Sequence, residues 1–325
     1  MFCSKCGRQL TYNDTFCPAC GTPTGTNNQP VVNNQPIISN QVKPVSKKGF
    51  SKGQKITIIG LLSVIIIFLV VLVLMPSNNN SNLKKRTIMM YIVGSNLEYD
   101  AKIVTGELNA FDANKINTDE NNILIYTGGT KKWFNFISNE ENAIYLFDKN
   151  GFNKLESQSK LNMGSPDTLS SFMKYAYENY PAKDYYLVIY DHGGAVDGAV
   201  YDDFSGDNLK LSDLSSALKN SPFNSNNKLS AVMFRTCLNG SIEMANIMEP
   251  YAKYLVASEE VSWGKNPYSV LSFVNNLKSS DNGLDVGKKF VDEYTHQMKQ
   301  IDKLNMLTYT YSIIDLSKLS TLINI

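Results

Sequence analysis

The chain has 325 residues, 31 Lys and Arg against 30 Asp and Glu for a net charge of +1, and 43% apolar residues that include 18 Tyr and 15 Phe. A balance this close to neutral, with its basic residues spread out apart from two short clusters, gives no electrostatic footprint for nucleic acid, and this much apolar material excludes a disordered chain. The length allows one large or two moderate domains with a sizeable core.

The first segment, "MFCSKCGRQLTYNDTFCPACG", carries Cys3, Cys6, Cys17 and Cys20 as two C-x2-C pairs ten residues apart. Each pair presents two thiolates from a tight turn, with Gly7 and Gly21 just past the second cysteine, and together they complete a tetrahedral sulfur site for structural zinc. Two disulfides are the alternative, and they fit poorly with the cytosolic side of a membrane, where the following residues put this segment. Residues 1–22 resemble the short zinc ribbons at the N-terminus of many bacterial membrane proteins. A domain so small cannot bury enough to fold alone, so zinc supplies most of its stability. Its expected role is binding a cytosolic protein partner, or sensing.

Residues 23–55 are rich in Asn, Gln, Pro and Ser and read as a disordered linker. Ile56 to Met75, "ITIIGLLSVIIIFLVVLVLM", is twenty residues without a charge. At about 1.5 Å per residue it matches a hydrocarbon core of roughly 30 Å, and it is read as a transmembrane helix in the lipid bilayer. Lys47, Lys48, Lys52 and Lys55 precede it and polar "PSNNNSN" follows. The positive-inside rule therefore puts the N-terminus in the cytoplasm and the rest outside the cell membrane, with Lys84, Lys85 and Arg86 as weaker counter-evidence. Residues 76–85 form a juxtamembrane linker.

From residue 86 onward, apolar runs suited to strands covered on both faces occur at 87–93, 122–126, 185–190, 229–234, 254–258 and 309–314. Between them, "SPDTLSSFMKYAYENY" offers Ser165 as N-cap, Pro166 in the first turn, and Leu169, Phe172, Met173 and Ala176 at helical spacing. The expected class is α/β, a mostly parallel sheet flanked by helices.

Ligands of such sheets bind beyond the carboxyl ends of the strands. There "YYLVIYDHGG" delivers His192 and Gly193, and "LSAVMFRTC" delivers Cys237. Cysteine and histidine on neighbouring strand ends supply a nucleophile and a proton carrier, and Gly193 lets backbone N–H groups approach an oxyanion. The helix suggested by "GSIEMANIM" would favour a thiolate at Cys237. The chemistry implied is acyl transfer through a thioester. His296 lies in a charged amphipathic stretch and reads as solvated or structural.

At "TIMMYIVGSNLE", "YYLVIYDHGG", "FRTCLNGSIEMA" and "YLVASEEVSWG" the chain resembles the clostripain family of cysteine peptidases, whose fold is caspase-like. The resemblance covers residues 86–325. It implies His192 as general acid for the leaving amine, Cys237 as nucleophile, and the N–H groups of Gly193 and Cys237 as oxyanion donors. The family typically has an aspartate two residues before the cysteine, lining a pocket for a basic substrate residue; here that residue is Arg235. A second acidic position falls two residues past Trp263, at Lys265. Both carboxylates are thus replaced by cations, which implies cleavage after Asp or Glu, since a guanidinium binds a carboxylate bidentately and repels another cation. Loss of function in the pocket is the alternative explanation.

The resemblance also implies self-cleavage in "YDDFSGDNLKLSD", at Asp202, Asp203 or Asp207; a solvated acidic loop or a cation site, calcium included, is the competing reading. Family domains usually continue beyond the strand matching "YTYSIIDLSKL", so a C-terminally truncated form is expected. The leading reading is a single-pass membrane cysteine endopeptidase acting on a peptide or protein outside the membrane. The runner-up is a membrane-tethered sensor or adaptor with a non-catalytic peptidase-like domain, and a third is a cytosolic enzyme.

Overall fold

The structure, a computed structural model, describes residues 83–323 other than 266 and 305. Cys3, Cys6, Cys17 and Cys20, the linker and the apolar run 56–75 lie outside the described residues. No helix among the described residues is long and apolar enough to cross a membrane.

The centre is an eight-stranded sheet in the order β10-β9-β8-β5-β1-β2-β3-β4. Its strands are β1 (Lys84–Val93), β2 (Asn121–Gly128), β3 (Glu141–Asp148), β4 (Gly151–Ser159), β5 (Ala182–Tyr190), β8 (Ala231–Arg235), β9 (Tyr254–Ala257) and β10 (Ser312–Asp315). A separate two-stranded ribbon pairs β6 (Tyr201–Asp202) with β7 (Asp207–Asn208). Strands β9, β8, β5, β1 and β2 run parallel, and β10, β3 and β4 close the two edges antiparallel.

The parallel strands are the apolar runs expected from the sequence, and each buries both faces. Met89, Tyr91 and Val93 of β1 point into one core, and Ile88, Met90 and Ile92 into the other, as the two-residue period of a strand requires. The first core is covered by α3 (Pro166–Asn179), α4 (Leu211–Lys219) and α5 (Ile242–Met248). The second is covered by α1 (Ser95–Tyr99), α2 (Ile103–Asn109) and α6 (Gly283–Ile301). A short α7 (Leu319–Ile323) follows β10. Ser165 caps α3, its side chain accepting from the Asp167 N–H with Pro166 in the first turn, as the sequence implied.

The β3–β4 hairpin was not among the expected strands. Its outer strand is mostly polar and exposed, and Gly151 (φ 94°) makes the turn. The sheet reverses its winding between β1 and β5, because β2 follows on one side and β5 on the other. In such a fold the crevice at the reversal is where a ligand sits.

Candidate active site

Four strand ends meet at this reversal. β1 runs into Ser95 and Asn96, β5 into Asp191 and His192, β8 into Cys237, and the loop after β9 carries Ser262 and Gly264. His192, Cys237, Arg235, Ser262 and Gly264 line one cleft of about 70 Å³. His192 and Cys237 thus border the same cleft. A groove of about 620 Å³ between β4 and α3 lies elsewhere, lined by residues such as Tyr126, Tyr175 and Glu156, with no cysteine or histidine among them.

Cys237 is a free, half-buried cysteine, and the Ser262 N–H donates to its Sγ at 3.3 Å. The expected helix-dipole effect is corrected here. Helix α5 begins only at Ile242, behind its own cap Ser241, so Cys237 lies outside the turn over which the dipole acts. The intervening residues are held differently: Leu238 takes a left-handed conformation (φ 58°) and donates to Glu260 O, Gly240 donates to Ser258 O, and Asn239 binds Thr236 and Gly198.

Gly193 packs against this turn. A Cβ there would run into the Cys237 carbonyl oxygen and stand 2.6 Å from Asn239 Oδ1 and 2.8 Å from Cys237 N. No hydrogen bond among the described residues starts from the N–H of Gly193 or of Cys237. Both donors are thus left without an acceptor among the described residues.

His192 Nε2 lies 2.7 Å from Asn96 Oδ1. A carbonyl oxygen only accepts, so the bond puts the proton on Nε2 and leaves Nδ1 to exchange protons. Burial lowers the His192 pKa from its ordinary value, so the neutral ring predominates at neutral pH. Asn96 was missed in the sequence, although "GSNLE" contains it. It is set by Ser95, a buried residue with φ 42° whose Oγ donates to Asp191 Oδ1 at 2.5 Å and whose carbonyl accepts from Thr130 Oγ1 at 2.6 Å. Replacing Asn96 with alanine is expected to lower kcat by about 10²-fold, the scale of a misplaced catalytic group, with KM little changed. A shift confined to KM would contradict this positioning role.

Asp191 is buried and accepts from Ser95 Oγ and from the Tyr201 N–H. Burial pushes its pKa up to about 7, against the lowering effect of those hydrogen bonds. The folded state thus holds this proton more tightly than the unfolded chain, where aspartate titrates near ~3.9. The stabilisation is fully present below about pH 4 and is lost as pH rises to about 7. Thermal unfolding of wild type should therefore weaken across that window more than that of Asp191→Asn, and equal slopes would contradict it.

Arg235 lines the cleft as expected, but not as a free cation. It is 4% exposed and pairs with fully buried Glu107 of α2, Nε to Oε1 at 3.4 Å. Nη1 donates to Ser262 Oγ at 2.6 Å and Nη2 to Trp263 O at 2.8 Å and Gln297 Oε1 at 3.2 Å. Burial alone would lower its pKa, but the Glu107 carboxylate, then Tyr190, Tyr311 and Tyr294, raise it and keep it charged. A buried pair of this kind resists loss of either partner, which costs about 3–5 kcal/mol. Trp263 contributes its backbone, while its side chain is 41% exposed, and Lys265 is exposed and outside the cleft.

In the acidic loop, Asp202 is buried and its carboxylate accepts from Met163, Phe204 and Ser205 N–H groups. Asp203 pairs with Lys131 at 2.7 Å, and Asp207 accepts from Asn162 Nδ2. The exposed tip is Phe204 to Gly206. No cluster of metal ligands occurs among the described residues. His296 is exposed on α6, as the sequence suggested.

A model of the Clostripain family matches residues 90–325, and a zinc-ribbon model matches residues 2–24. Clostripain of Hathewaya histolytica is 29% identical over 144 residues, covering 38% of this chain. The chain spans about a quarter of that relative's length, 26%. Among solved structures, a secreted C11 cysteine protease from Bacteroides thetaiotaomicron in complex with an irreversible peptide inhibitor superimposes with a TM-score of 0.58 at 19% identity, covering 73% of this chain and 68% of that one. An inactive zymogen C11 protease from Parabacteroides distasonis gives 0.54 at 21% identity, covering 74% and 64%. These likenesses carry the fold, a mixed α/β sheet flanked by helices. The solved neighbours show that its folded domain shares the fold of C11 cysteine proteases, and with a family model matching most of its length the chain belongs to the Clostripain family.

Proposed function

We propose that the protein is a membrane-anchored cysteine endopeptidase working through Cys237 and His192. The observation that carries the reading is the cleft itself: Cys237 and His192 line it together, beside the unused N–H groups of Gly193 and Cys237. The Cys237 thiol gives its proton to His192 Nδ1 as Sγ bonds to the scissile carbonyl carbon. The two N–H groups hold the resulting oxyanion. As the carbon–nitrogen bond breaks, the imidazolium returns the proton to the leaving amine. Water, deprotonated by the same imidazole, then hydrolyses the thioester and restores the thiol.

Membrane anchoring rests on the uncharged run 56–75, with the catalytic domain outside and the ribbon inside. The ribbon would hold zinc through Cys3, Cys6, Cys17 and Cys20, and one zinc per chain by elemental analysis, lost on alkylating those thiols, is the expected result. Self-cleavage after Asp202, Asp203 or Asp207 would need a pocket that takes an acidic side chain, and it is not kept in the reading. The preference for Asp or Glu expected from Arg235 is not favoured by the geometry, because every Nη donor already has an acceptor. The second reading, a non-catalytic sensor or adaptor, is favoured by the same filled pocket. A denatured protein mixture incubated with the full-length chain separates the two: new N-termini absent with Cys237→Ala support the endopeptidase, and none from folded protein supports the sensor.

A further inference from the structure

One wall of the cleft that Cys237 lines is made by the Arg235 side chain. Arg235 reaches from the end of β8 into the space beneath Gly264, where a Cβ would stand 2.9 Å from Nη2 and 3.5 Å from Ile103 Cγ2. Guanidinium, glycine and Ile103 therefore close the floor.

Of the five N–H bonds of Arg235, the Nη groups serve Ser262, Trp263 and Gln297, and Nε faces Glu107. Glu107 in turn accepts through Oε2 from Ser269 Oγ and from the N–H groups of Val270 and Leu271. The pair is net neutral and buried, and Arg235 Nε and Glu107 Oε1 face each other as an ion pair at 3.4 Å with no hydrogen bond to any other group. A substrate carboxylate meets Nη donors that are already used and an Nε that faces Glu107, and a substrate cation meets a guanidinium in front of Glu107, while Asp191, the other carboxylate lining the cleft, already accepts from Ser95 Oγ and the Tyr201 N–H. Either charge would lose its hydration without gaining a partner. The space left, about 70 Å³, holds on the order of two or three heavy atoms.

We propose that the Arg235–Glu107 pair is a built-in plug of the specificity pocket, and that the site takes peptides with a short uncharged residue, of the alanine or serine class, on the acyl side of the scissile bond. This rests on the reading of Cys237 as the nucleophile. Removing the plug has a directional consequence: Arg235→Ala leaves Glu107 at the bottom of a deeper pocket, where a substrate guanidinium takes the place of the missing one.

The test reads alkylation of Cys237 in the full-length chain by tripeptide chloromethyl ketones ending in alanine, aspartate or arginine, each forming an Sγ–C bond with loss of chloride, followed by intact mass. The alanine reagent should react at least tenfold faster than the other two with wild type. The arginine reagent should gain at least tenfold relative to alanine with Arg235→Ala. Aspartate or arginine fastest on wild type overturns the plug. Because Arg235→Ala strands a buried carboxylate, the doubly neutral Glu107→Ala, Arg235→Ala variant is the second arm. It should accept a leucine reagent and show no arginine preference, and an arginine preference there overturns the role of Glu107. Iodoacetamide separates the two layers of the argument. Labelling of Cys237 by iodoacetamide with no selectivity among the peptide reagents overturns the pocket and leaves the nucleophile standing, whereas no labelling by any reagent overturns both.

Discussion

Replacing Cys237 with alanine should lower kcat/KM by at least about 10³-fold while leaving the fold intact, because the side chain is half-buried and its one hydrogen bond is a contact from the Ser262 N–H. The change in unfolding free energy should stay within about 1 kcal/mol. His192→Ala should cost a comparable factor, and the double variant little more than either single one, since nucleophile and proton carrier act as a unit. Rate measurements on the three variants check this. Independent, multiplying losses would mean that the two residues do not share a step.

Gly193→Ala carries the second large effect. The added methyl would collide with the carbonyl oxygen of Cys237 and crowd Asn239, so the turn bearing the thiol must move away from the His192 strand end. Both proposed oxyanion donors sit on those two segments. Their displacement should lower kcat by about 10²–10³-fold, the scale of a lost oxyanion donor. Overpacking of the contact adds a destabilisation of about 1–3 kcal/mol. Separate kcat and KM values with a thermal melt distinguish the two components. Near-native kcat would show that the Gly193 N–H does not face the reacting oxygen.

The residues explain what could be read in advance. The parallel strands announce themselves because burial on both faces leaves continuous apolar runs, as in "TIMMYIV" and "YYLVIY". The β3–β4 hairpin does not, because an edge strand such as "GFNKLESQS" is half solvated and its pattern is weak. His192, Gly193 and Cys237 stand out by residue type at strand ends. Asn96 does not, since a polar residue after a strand is the commonest of turn signals and its partner is distant in sequence. The same distance hid Glu107. Read alone, Arg235 is a cation facing a substrate; beside a fully buried carboxylate it is half of a neutral pair. A charge becomes a specificity argument only once its partners are known. The dipole expectation for Cys237 failed for a local reason: the left-handed Leu238 turn and the Ser241 cap delay the helix until Ile242.

The most direct test of the central claim is a titration of the purified full-length chain with iodoacetamide, following intact mass, the alkylated position and peptide hydrolysis together. The account predicts that activity falls in proportion to alkylation of Cys237 and reaches zero at one equivalent per chain, with the reaction slowed in His192→Ala. Hydrolysis that survives complete alkylation of Cys237 would contradict it.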